Sequence, residues 1–203
     1  MSTAFEIAPG VTLWRGRFGR AEQQQLLDDV LAREKNAPFH RPVMPGSGKP
    51  FSVMQTNFGA LGWVSDKSGY RYQPAHPATG TPWPAIPGML LDLWSDIAGA
   101  PSPQCCLVNL YRGDARMGLH QDRDETALEA PVVSVSLGDE ALFRIGGLTR
   151  RGPARRVTLS SGDVLLFGGP ARLAFHGIDR VRPGSSTLMP GGGRMNLTLR
   201  RVC

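Results

Sequence analysis

The chain has 203 residues, a net charge of +6 at neutral pH and a hydrophobic content of 41%. This length and composition fit one domain, residues 1–203, built around one sizeable core. No run of about 18 apolar residues is present, so the sequence predicts no membrane-spanning helix and no membrane partner. The three cysteines lack C-x-x-C spacing and the N-terminus lacks a signal-peptide pattern. These features exclude a disulfide-based secreted scaffold and predict a cytoplasmic protein.

The first 103 residues contain two helical patterns. Leu26, Leu27 and Val30 fall on one face of the first, and the second begins after Pro87 and stops at Gly99. We expect these to be supporting helices. In order, the predicted elements are an arm over 1–20 with an edge strand near 11–14, a helix over 21–36, a loop over 38–50, mixed strands over 51–61 and a helix over 87–99.

Four aromatic residues lie in a segment rich in glycine and proline between these helices: Trp63, Tyr70, Tyr72 and Trp83. Basic residues are interleaved with them. Aromatic rings on loops beside cations can stack on bases and contact phosphates. The same rings could instead anchor the loops to the core, and the pattern leaves both interpretations open.

From Gln104 onward the pattern changes to short apolar strands separated by turn residues. About eight short antiparallel strands after two helices predict a double-stranded β-helix, or jelly roll, with the helices packed outside one sheet. The predicted fold class is α+β, mainly β, with residues 1–103 supporting a jelly-roll core over 104–203. The strand candidates are 105–112, 117–121, 132–137, 141–145, 156–160, 163–167, 173–176, 187–189 and 194–201.

His120 and Asp122 are two residues apart, so in an extended strand both side chains leave the same face. An imidazole and a carboxylate aimed at one point form two thirds of the 2-His-1-carboxylate triad that holds non-haem Fe(II). The third ligand must come from a distant histidine, and His176 lies in an apolar, strand-like stretch downstream. Taken alone, His-x-Asp is a weak signal and favours a surface or hydrogen-bonded histidine beside an ordinary acidic loop; the two polar strands that follow change this balance.

Polar residues also recur at even spacing within two apolar strands. Arg194, Asn196 and Arg200 share one face of the last strand, and Asn109 and Tyr111 share a face of another. A buried arginine without a carboxylate partner is costly, so these are poor core residues unless an anion binds beside them. Iron oxygenases with this triad usually take a 2-oxo acid and O2 as cosubstrates. The diacid 2-oxoglutarate would suit the two arginines.

Positive charge is concentrated in residues 141–203, which contain eleven arginines, no lysine, and only Asp163 and Asp179 as acids. Arginine is suited to carboxylate and phosphate recognition, so a polyanionic partner fits this third of the chain. A solvated basic surface that serves solubility is the alternative.

These motifs together resemble the AlkB family of Fe(II)/2-oxoglutarate-dependent nucleic-acid demethylases. The resemblance covers nearly the whole chain, roughly residues 38–201. It rests on His120-Gln121-Asp122-Arg123-Asp124-Glu125, Asn109-Leu110-Tyr111, Phe175-His176-Gly177-Ile178, the Arg194–Arg200 strand, and the upstream stretches Thr56–Trp63 and Gly69–Tyr72.

The resemblance implies a role for each candidate in binding the cofactor and the cosubstrate. Arg194 and Tyr111 would bind the far carboxylate of 2-oxoglutarate, and Arg200 the end near the metal. The implied iron ligands are His120, Asp122 and His176, and the implied 2-oxoglutarate residues are Asn109, Tyr111, Arg194, Asn196 and Arg200.

The resemblance also implies a nucleotide-recognition lid. Trp63 would stack on or border the flipped base, and Tyr70 would contact a base or phosphate. Asp124 would read the exocyclic amine, and Arg150 would line the mouth. The implied reaction removes N-alkyl groups from bases such as 1-methyladenine and 3-methylcytosine with Fe(II), O2 and 2-oxoglutarate, and releases formaldehyde, succinate and CO2. The implied partner is alkylated DNA, single-stranded before duplex, with RNA as a second candidate, and we expect a monomer.

Two other functions compete with this one. An oxygenase of the same chemistry could act on a protein or a small molecule, although the aromatic, basic segment 63–72 and the arginine-rich third favour nucleic acid. A non-enzymatic nucleic-acid-binding jelly roll would have no need for the metal triad together with Arg194 and Arg200.

Overall fold

The computed structural model describes residues 3–203, which form thirteen strands and two α-helices in all. Their bounds are β1 Ala4–Ala8, β2 Val11–Trp14, α1 Arg20–Glu34, β3 Met54–Phe58, β4 Gly62–Asp66, β5 Gly69–Gln73, α2 Gly88–Ile97, β6 Cys105–Tyr111, β7 Met117–His120, β8 Val132–Gly138, β9 Glu140–Gly146, β10 Ala154–Leu159, β11 Val164–Phe167, β12 His176–Arg182 and β13 Arg194–Arg200.

Two antiparallel sheets face each other. The larger has seven strands in the order β1-β2-β11-β8-β13-β6-β3, and the smaller has four in the order β10-β9-β12-β7. Apart from the pairs β1–β2 and β9–β10, neighbours in this order are not consecutive in sequence, as Greek-key crossovers require. A separate hairpin, β4–β5, completes the set. The predicted jelly roll is confirmed, with both helices packed on the outer face of the seven-stranded sheet.

The alternation of side chains along β13 explains how that sheet serves two environments. Met195, Leu197 and Leu199 are buried in the apolar layer that includes Leu90 and Trp94 of α2. Strand side chains alternate between faces, so these odd-numbered residues meet the helices. Full burial of one such leucine contributes about 1.5–3 kcal/mol, which fixes the strand's orientation.

The even-numbered residues of β13 therefore point between the two sheets. Arg194, Asn196, Thr198 and Arg200 lie on this inner face, beside the polar residues of β6 and β8. A second apolar cluster fills the rest of the space between the sheets, and its members include Phe143, Ile145, Phe167 and Ile178. The space between the two sheets is therefore polar beside β13 and apolar elsewhere, and the polar part forms a cavity.

Three predicted elements are wrong in detail. The strand near 11–14 is not at an edge, because β2 lies between β1 and β11. Residues 187–189 form no strand: the buried Asp139 carboxylate accepts hydrogen bonds from the amides of Gly184, Ser186 and Gly193, which holds this segment as a loop. The strand expected at 173–176 begins only at His176, because a short 3-10 turn, Gly169–Ala171, precedes it.

The predicted aromatic loop is instead largely the β4–β5 hairpin. Trp63 lies on β4, Tyr70 and Tyr72 lie on β5, and only Trp83 stays outside a strand. Aromatic and β-branched residues favour extended backbone, and this preference prevails over the flanking glycines. Val64 anchors the hairpin in a small apolar cluster with Ala37 and Trp83. Of these aromatic residues, Trp83 therefore packs in the cluster that anchors the hairpin, whereas Tyr70 is exposed at the surface.

Within residues 3–203, neither helix is both long enough and apolar enough to cross a membrane.

Candidate active site

Three side chains converge between the sheets. His120 ends β7, His176 begins β12, and the two are direct cross-strand partners in register. Asp122 follows just beyond the end of β7, and its carboxylate oxygens lie 3.7 Å from Nε2 of His120 and 3.8 Å from Nε2 of His176. One ligand atom from each residue fits within 4.8 Å of the others. The predicted triad is brought together as expected.

Backbone carbonyls set the tautomer of both imidazoles. Nδ1 of His120 lies 2.9 Å from the Gly118 carbonyl oxygen, and Nδ1 of His176 lies 2.9 Å from that of Ala174. A carbonyl only accepts, so each Nδ1 carries the hydrogen and each Nε2 presents its lone pair to the centre, as metal-ligating histidines commonly do. Burial, followed by the neighbouring His120, lowers the pKa of His176 to about 4, so this ring is neutral at physiological pH.

The carboxylate is also prepared for a cation. Burial alone would raise the pKa of Asp122, but Arg200 and the two histidines hold the pKa well below its usual range. Its Oδ1 accepts from Arg200 Nη2 at 2.8 Å, whereas the buried Oδ2 has no hydrogen-bond partner. Two imidazole nitrogens and one carboxylate on one side of a cavity fit Fe(II) in a 2-His-1-carboxylate site.

A buried arginine marks the other end of the cavity. Arg194 is 0% exposed, and only its Nη2 is paired, with Ser136 Oγ at 2.8 Å, while Nε and Nη1 have no partner. Burial lowers the pKa of Arg194 to about 10, so it remains a cation. Tyr111 is its direct cross-strand neighbour. A buried cation with unused donors fits an anionic ligand group.

Between the two arginines the wall is polar. Asn196 lies opposite Asn109 and donates to Ser134 Oγ at 2.7 Å. Gln55 of β3 donates to Asn109 Oδ1 at 2.7 Å and fixes that amide. All five residues predicted to bind 2-oxoglutarate line one cavity of about 660 Å³ together with the metal triad. That volume suits a small organic ligand plus part of a larger one.

The four predicted substrate residues gather at the mouth of this cavity. Trp63 and Tyr70 stack with ring centroids 5.4 Å apart and planes inclined by 22°. The indole Nε1 of Trp63 donates to Asp124 Oδ2 at 2.8 Å. Arg150 lies on the loop between β9 and β10 and also lines the cavity. Aromatic, acidic and basic groups are thereby presented at one opening.

Sequence reasoning assigned no role to two buried residues beneath the site. Arg172 donates to the backbone carbonyl of Asp122 at 2.6 Å and pairs with Glu125 at 3.1 Å. These contacts fix the segment that follows His120. Arg172 stands in the apolar run from Ala171 to Phe175, and a lone charge in such a run is the signal that could have indicated a buried partner.

A jelly roll with this metal triad and a cationic pocket beside it defines a non-haem iron oxygenase that takes an anionic cosubstrate. Residues 10–200 match the 2OG-Fe(II) oxygenase superfamily. The chain is 56% identical over 198 residues to the Alpha-ketoglutarate-dependent dioxygenase AlkB homolog of Caulobacter vibrioides, which covers 97% of this chain and 89% of that protein. It is 33% identical over 154 residues to the human Nucleic acid dioxygenase ALKBH1, with 74% of this chain and 39% of that protein covered.

Among solved structures, that of OsALKBH1 superposes with a TM-score of 0.84 at 30% sequence identity and covers 98% of this chain and 100% of that one. The chain therefore belongs to the 2OG-Fe(II) oxygenase superfamily and, within it, to the AlkB dioxygenases. It is an enzyme that uses Fe(II), 2-oxoglutarate and O2, and His120, Asp122 and His176 form the candidate iron site.

Proposed function

We propose that this dioxygenase removes N-linked methyl and other small alkyl groups from nucleobases, and thereby directly reverses alkylation damage in DNA. The observation that carries the proposal is the stacked Trp63–Tyr70 pair, with Asp124 beside it, at the mouth of the metal cavity. The names of the Caulobacter and human relatives, an AlkB homolog and a nucleic acid dioxygenase, favour the same substrate class.

Each side chain has a role in this reaction. His120, Asp122 and His176 hold the iron, and Arg194 binds the far carboxylate of 2-oxoglutarate with Tyr111 beside it. Arg200 lies at the metal end of the cavity. With Fe(II), O2 and 2-oxoglutarate bound, the site supplies oxidation of the N-alkyl carbon and yields formaldehyde, succinate, CO2 and the restored base.

The mouth suits bases that carry positive charge. Methylation of adenine at N1 or cytosine at N3 makes the base a cation, and a cation is attracted to the face of an aromatic ring and to a carboxylate. Trp63 and Tyr70 offer the faces, and Asp124 offers an acceptor for the exocyclic amine. We therefore propose 1-methyladenine and 3-methylcytosine as substrates.

A base must leave its stack to reach the iron, and this costs least in a single strand. We propose single-stranded DNA as the preferred substrate, with RNA as a second substrate and a monomer as the working unit. Three free cysteines favour the reducing cytoplasm as its location.

The arginine-rich third of the chain supplies contacts to phosphates in this proposal. Most of its arginines lie on the four-stranded sheet or on the β9–β10 loop beside the mouth, where a backbone could run past the site. They are Arg144, Arg150, Arg151, Arg155, Arg156, Arg180 and Arg182.

The test is a single turnover. Anaerobic protein is loaded with Fe(II), 2-oxoglutarate and an oligonucleotide containing one 1-methyladenine, and oxygen is then admitted. Mass spectrometry should record the loss of one methyl group per site, with matching formaldehyde and succinate. If the oligonucleotide is unchanged while a protein or uncharged small molecule is oxidised, the proposed substrate class is wrong.

A further inference from the structure

The β4–β5 hairpin is attached to the segment that carries two of the metal ligands by two side-chain hydrogen bonds. Trp63 donates to Asp124 at the cavity mouth. One residue further along, Tyr72 donates its hydroxyl hydrogen to Glu125 Oε1. The first bond is solvent-accessible and involves the carboxylate proposed to read the base, whereas the second is partly buried.

Tyr72 lies between two parts of the cavity. One is the stacked Trp63–Tyr70 pair at the mouth, the base platform, and the other is the cosubstrate end around Arg200. Tyr72 is the direct cross-strand partner of Trp63, and its hydroxyl oxygen accepts from Arg200 Nη1 at 3.3 Å. The same guanidinium bonds Asp122 Oδ1 through Nη2 at 2.8 Å. A continuous set of contacts therefore runs from the hairpin through one hydroxyl to a metal ligand.

The groups around this hydroxyl are held rigidly. Glu125 is buried, and its second oxygen accepts from Arg172 at 3.1 Å, while Arg172 also binds the backbone carbonyls of Asp122 and Ala130. Burial raises the pKa of Tyr72 far above its usual value, so the hydroxyl keeps the hydrogen that it donates to Glu125. Arg200 Nε also lies 3.6 Å from Glu125 Oε1, so the Glu125 carboxylate and the Tyr72 hydroxyl bonded to it together position this guanidinium.

We propose that Tyr72 is a positioning residue that holds the base-binding hairpin in register with Arg200 and Asp122 while a base docks at the mouth. This inference rests on the proposed function of the hairpin. A base that binds the Asp124 carboxylate would break its bond to Trp63 and leave the Tyr72–Glu125 bond in place. The hairpin would then keep its position relative to the metal site while the base enters the cavity.

The decisive variant is Tyr72→Phe, which keeps the ring beside Trp63 and removes only the hydroxyl. Ser68→Ala is the matched control, because it removes a hydroxyl bond from the turn of the same hairpin, far from Arg200. Three quantities are measured. They are the Kd of 2-oxoglutarate for the Mn(II)-loaded protein, which cannot turn over, the Kd of a 1-methyladenine oligonucleotide, and the ratio of succinate to formaldehyde during Fe(II) turnover with that oligonucleotide.

We expect Tyr72→Phe to raise the 2-oxoglutarate Kd by about tenfold, the size of one hydrogen bond to a charged group. We expect the succinate-to-formaldehyde ratio to rise well above one, because oxygen is consumed without a positioned base. Oligonucleotide affinity should stay within about twofold of wild type, since the ring remains. Ser68→Ala should match wild type in all three.

Tyr72→Phe that matches Ser68→Ala in both Kd and ratio would overturn the inference. So would a loss of oligonucleotide affinity with unchanged 2-oxoglutarate binding, since Tyr72 would then be only part of the base platform. If Tyr72→Phe does not fold, Glu125→Gln tests the same connection by weakening the acceptor, and normal behaviour of that variant overturns the inference. Wild-type protein that demethylates no oligonucleotide would refute the proposed function, while the Mn(II) Kd would still decide the link to Arg200.

Discussion

His120 and His176 face each other as cross-strand partners of β7 and β12, with ring centroids 4.4 Å apart. The register of an antiparallel pair is fixed by backbone hydrogen bonds, so both imidazoles are placed by the sheet itself rather than by a metal. Their Nδ1 atoms are each held by a carbonyl two residues earlier in the chain. The site is therefore preorganised, and metal binding should not be required for folding.

Asp122→Ala should abolish turnover and strongly weaken Fe(II) binding while the circular dichroism spectrum of the metal-free protein stays close to wild type. The melting temperature should fall, because buried Arg200 loses one of its carboxylate partners. The variant removes one of three ligands and leaves the sheet register intact. Iron retention after gel filtration measures the effect. Asp96→Ala is the matched control, because that carboxylate lies on the exposed side of α2, where it pairs with Arg17, away from the cavity. A folded Asp122→Ala protein with full activity would refute the triad.

Arg194→Ala should raise the KM for 2-oxoglutarate by roughly 10- to 100-fold, which corresponds to about 1.5–3 kcal/mol for hydrogen bonds to a charged group. Arg194→Lys should recover only part of this loss, because lysine lacks the planar fork. The free energy of unfolding should not fall much in Arg194→Met, since the change removes a buried cation with two unpaired nitrogens. Unaltered KM in the alanine variant would contradict the assignment.

Much of the site could be predicted from the sequence because its residues carry chemistry that a core does not tolerate. Arg194, Asn196 and Arg200 alternate with aliphatics, and that period of two gave both the strand and its inward face. The position of His176 opposite His120 could not be predicted, because strand pairing across 56 residues depends on tertiary packing. The same limit hid the contact of Arg172 with the Asp122 carbonyl.

Element boundaries failed where a side chain outside the segment decides the backbone. The loop at 187–189 is held by Asp139, about 50 residues earlier, and no local pattern encodes that contact. The segment Trp63–Tyr72 is a hairpin and not the predicted loop for a local reason. Its glycines favour a loop, but the strand preference of its aromatic residues is stronger.

Trp63→Ala should weaken binding of a methylated oligonucleotide by roughly 1–3 kcal/mol, the cost of losing one stacking platform. Succinate formation in the absence of nucleic acid should change little, because the Trp63 side chain lies at the mouth, where it contacts Asp124, Phe51 and Tyr70. Fluorescence anisotropy and a succinate assay measure the two effects. If both fall in parallel with the melting temperature, Trp63 is a structural anchor of the hairpin.

Oligonucleotide binding should weaken with salt, because arginine contacts to phosphates release counterions. For a single strand, log Kd should change with log salt by about 0.7 per contacted phosphate, so a few contacts give a total slope of roughly 2–4. Arg150→Gln and Arg151→Gln should each lower this slope by less than about one unit. Binding of 2-oxoglutarate in the buried pocket should respond far less to salt. A slope of zero for wild type would exclude phosphate contacts.

His40 should make the fold sensitive to mild acid. Burial, and then the adjacent His76, lower the pKa of His40 from 6.5 to about 4 in the folded protein, and neither ring nitrogen has a partner. Between those two pH values the unfolded chain holds a proton on His40 that the folded chain does not. The free energy of unfolding therefore rises with pH across this window, and the gain is complete above about pH 6.5.

The check is a set of urea titrations from pH 4 to 7 on wild type and His40→Phe. The variant cannot bind that proton, so its stability should fall less steeply towards pH 4 than that of wild type. Equal slopes for the two proteins would show that His40 titrates normally in the fold. Arg17→Gln, a surface change on the helix side of the molecule, controls for general charge effects.

The two-sided character of β13 has a consequence for how this enzyme can evolve. The odd-numbered residues pack against the helices, and they are Met195, Leu197 and Leu199. The even-numbered residues Arg194, Asn196 and Arg200 line the cavity. Substitutions at the odd-numbered positions act mainly on the amount of folded protein, and substitutions at the even-numbered positions act mainly on ligand binding and chemistry. Neighbouring codons in one seven-residue strand are thus under separate selective pressures. Substitutions that change the substrate are accommodated more readily in the β4–β5 hairpin, because it lies outside both sheets.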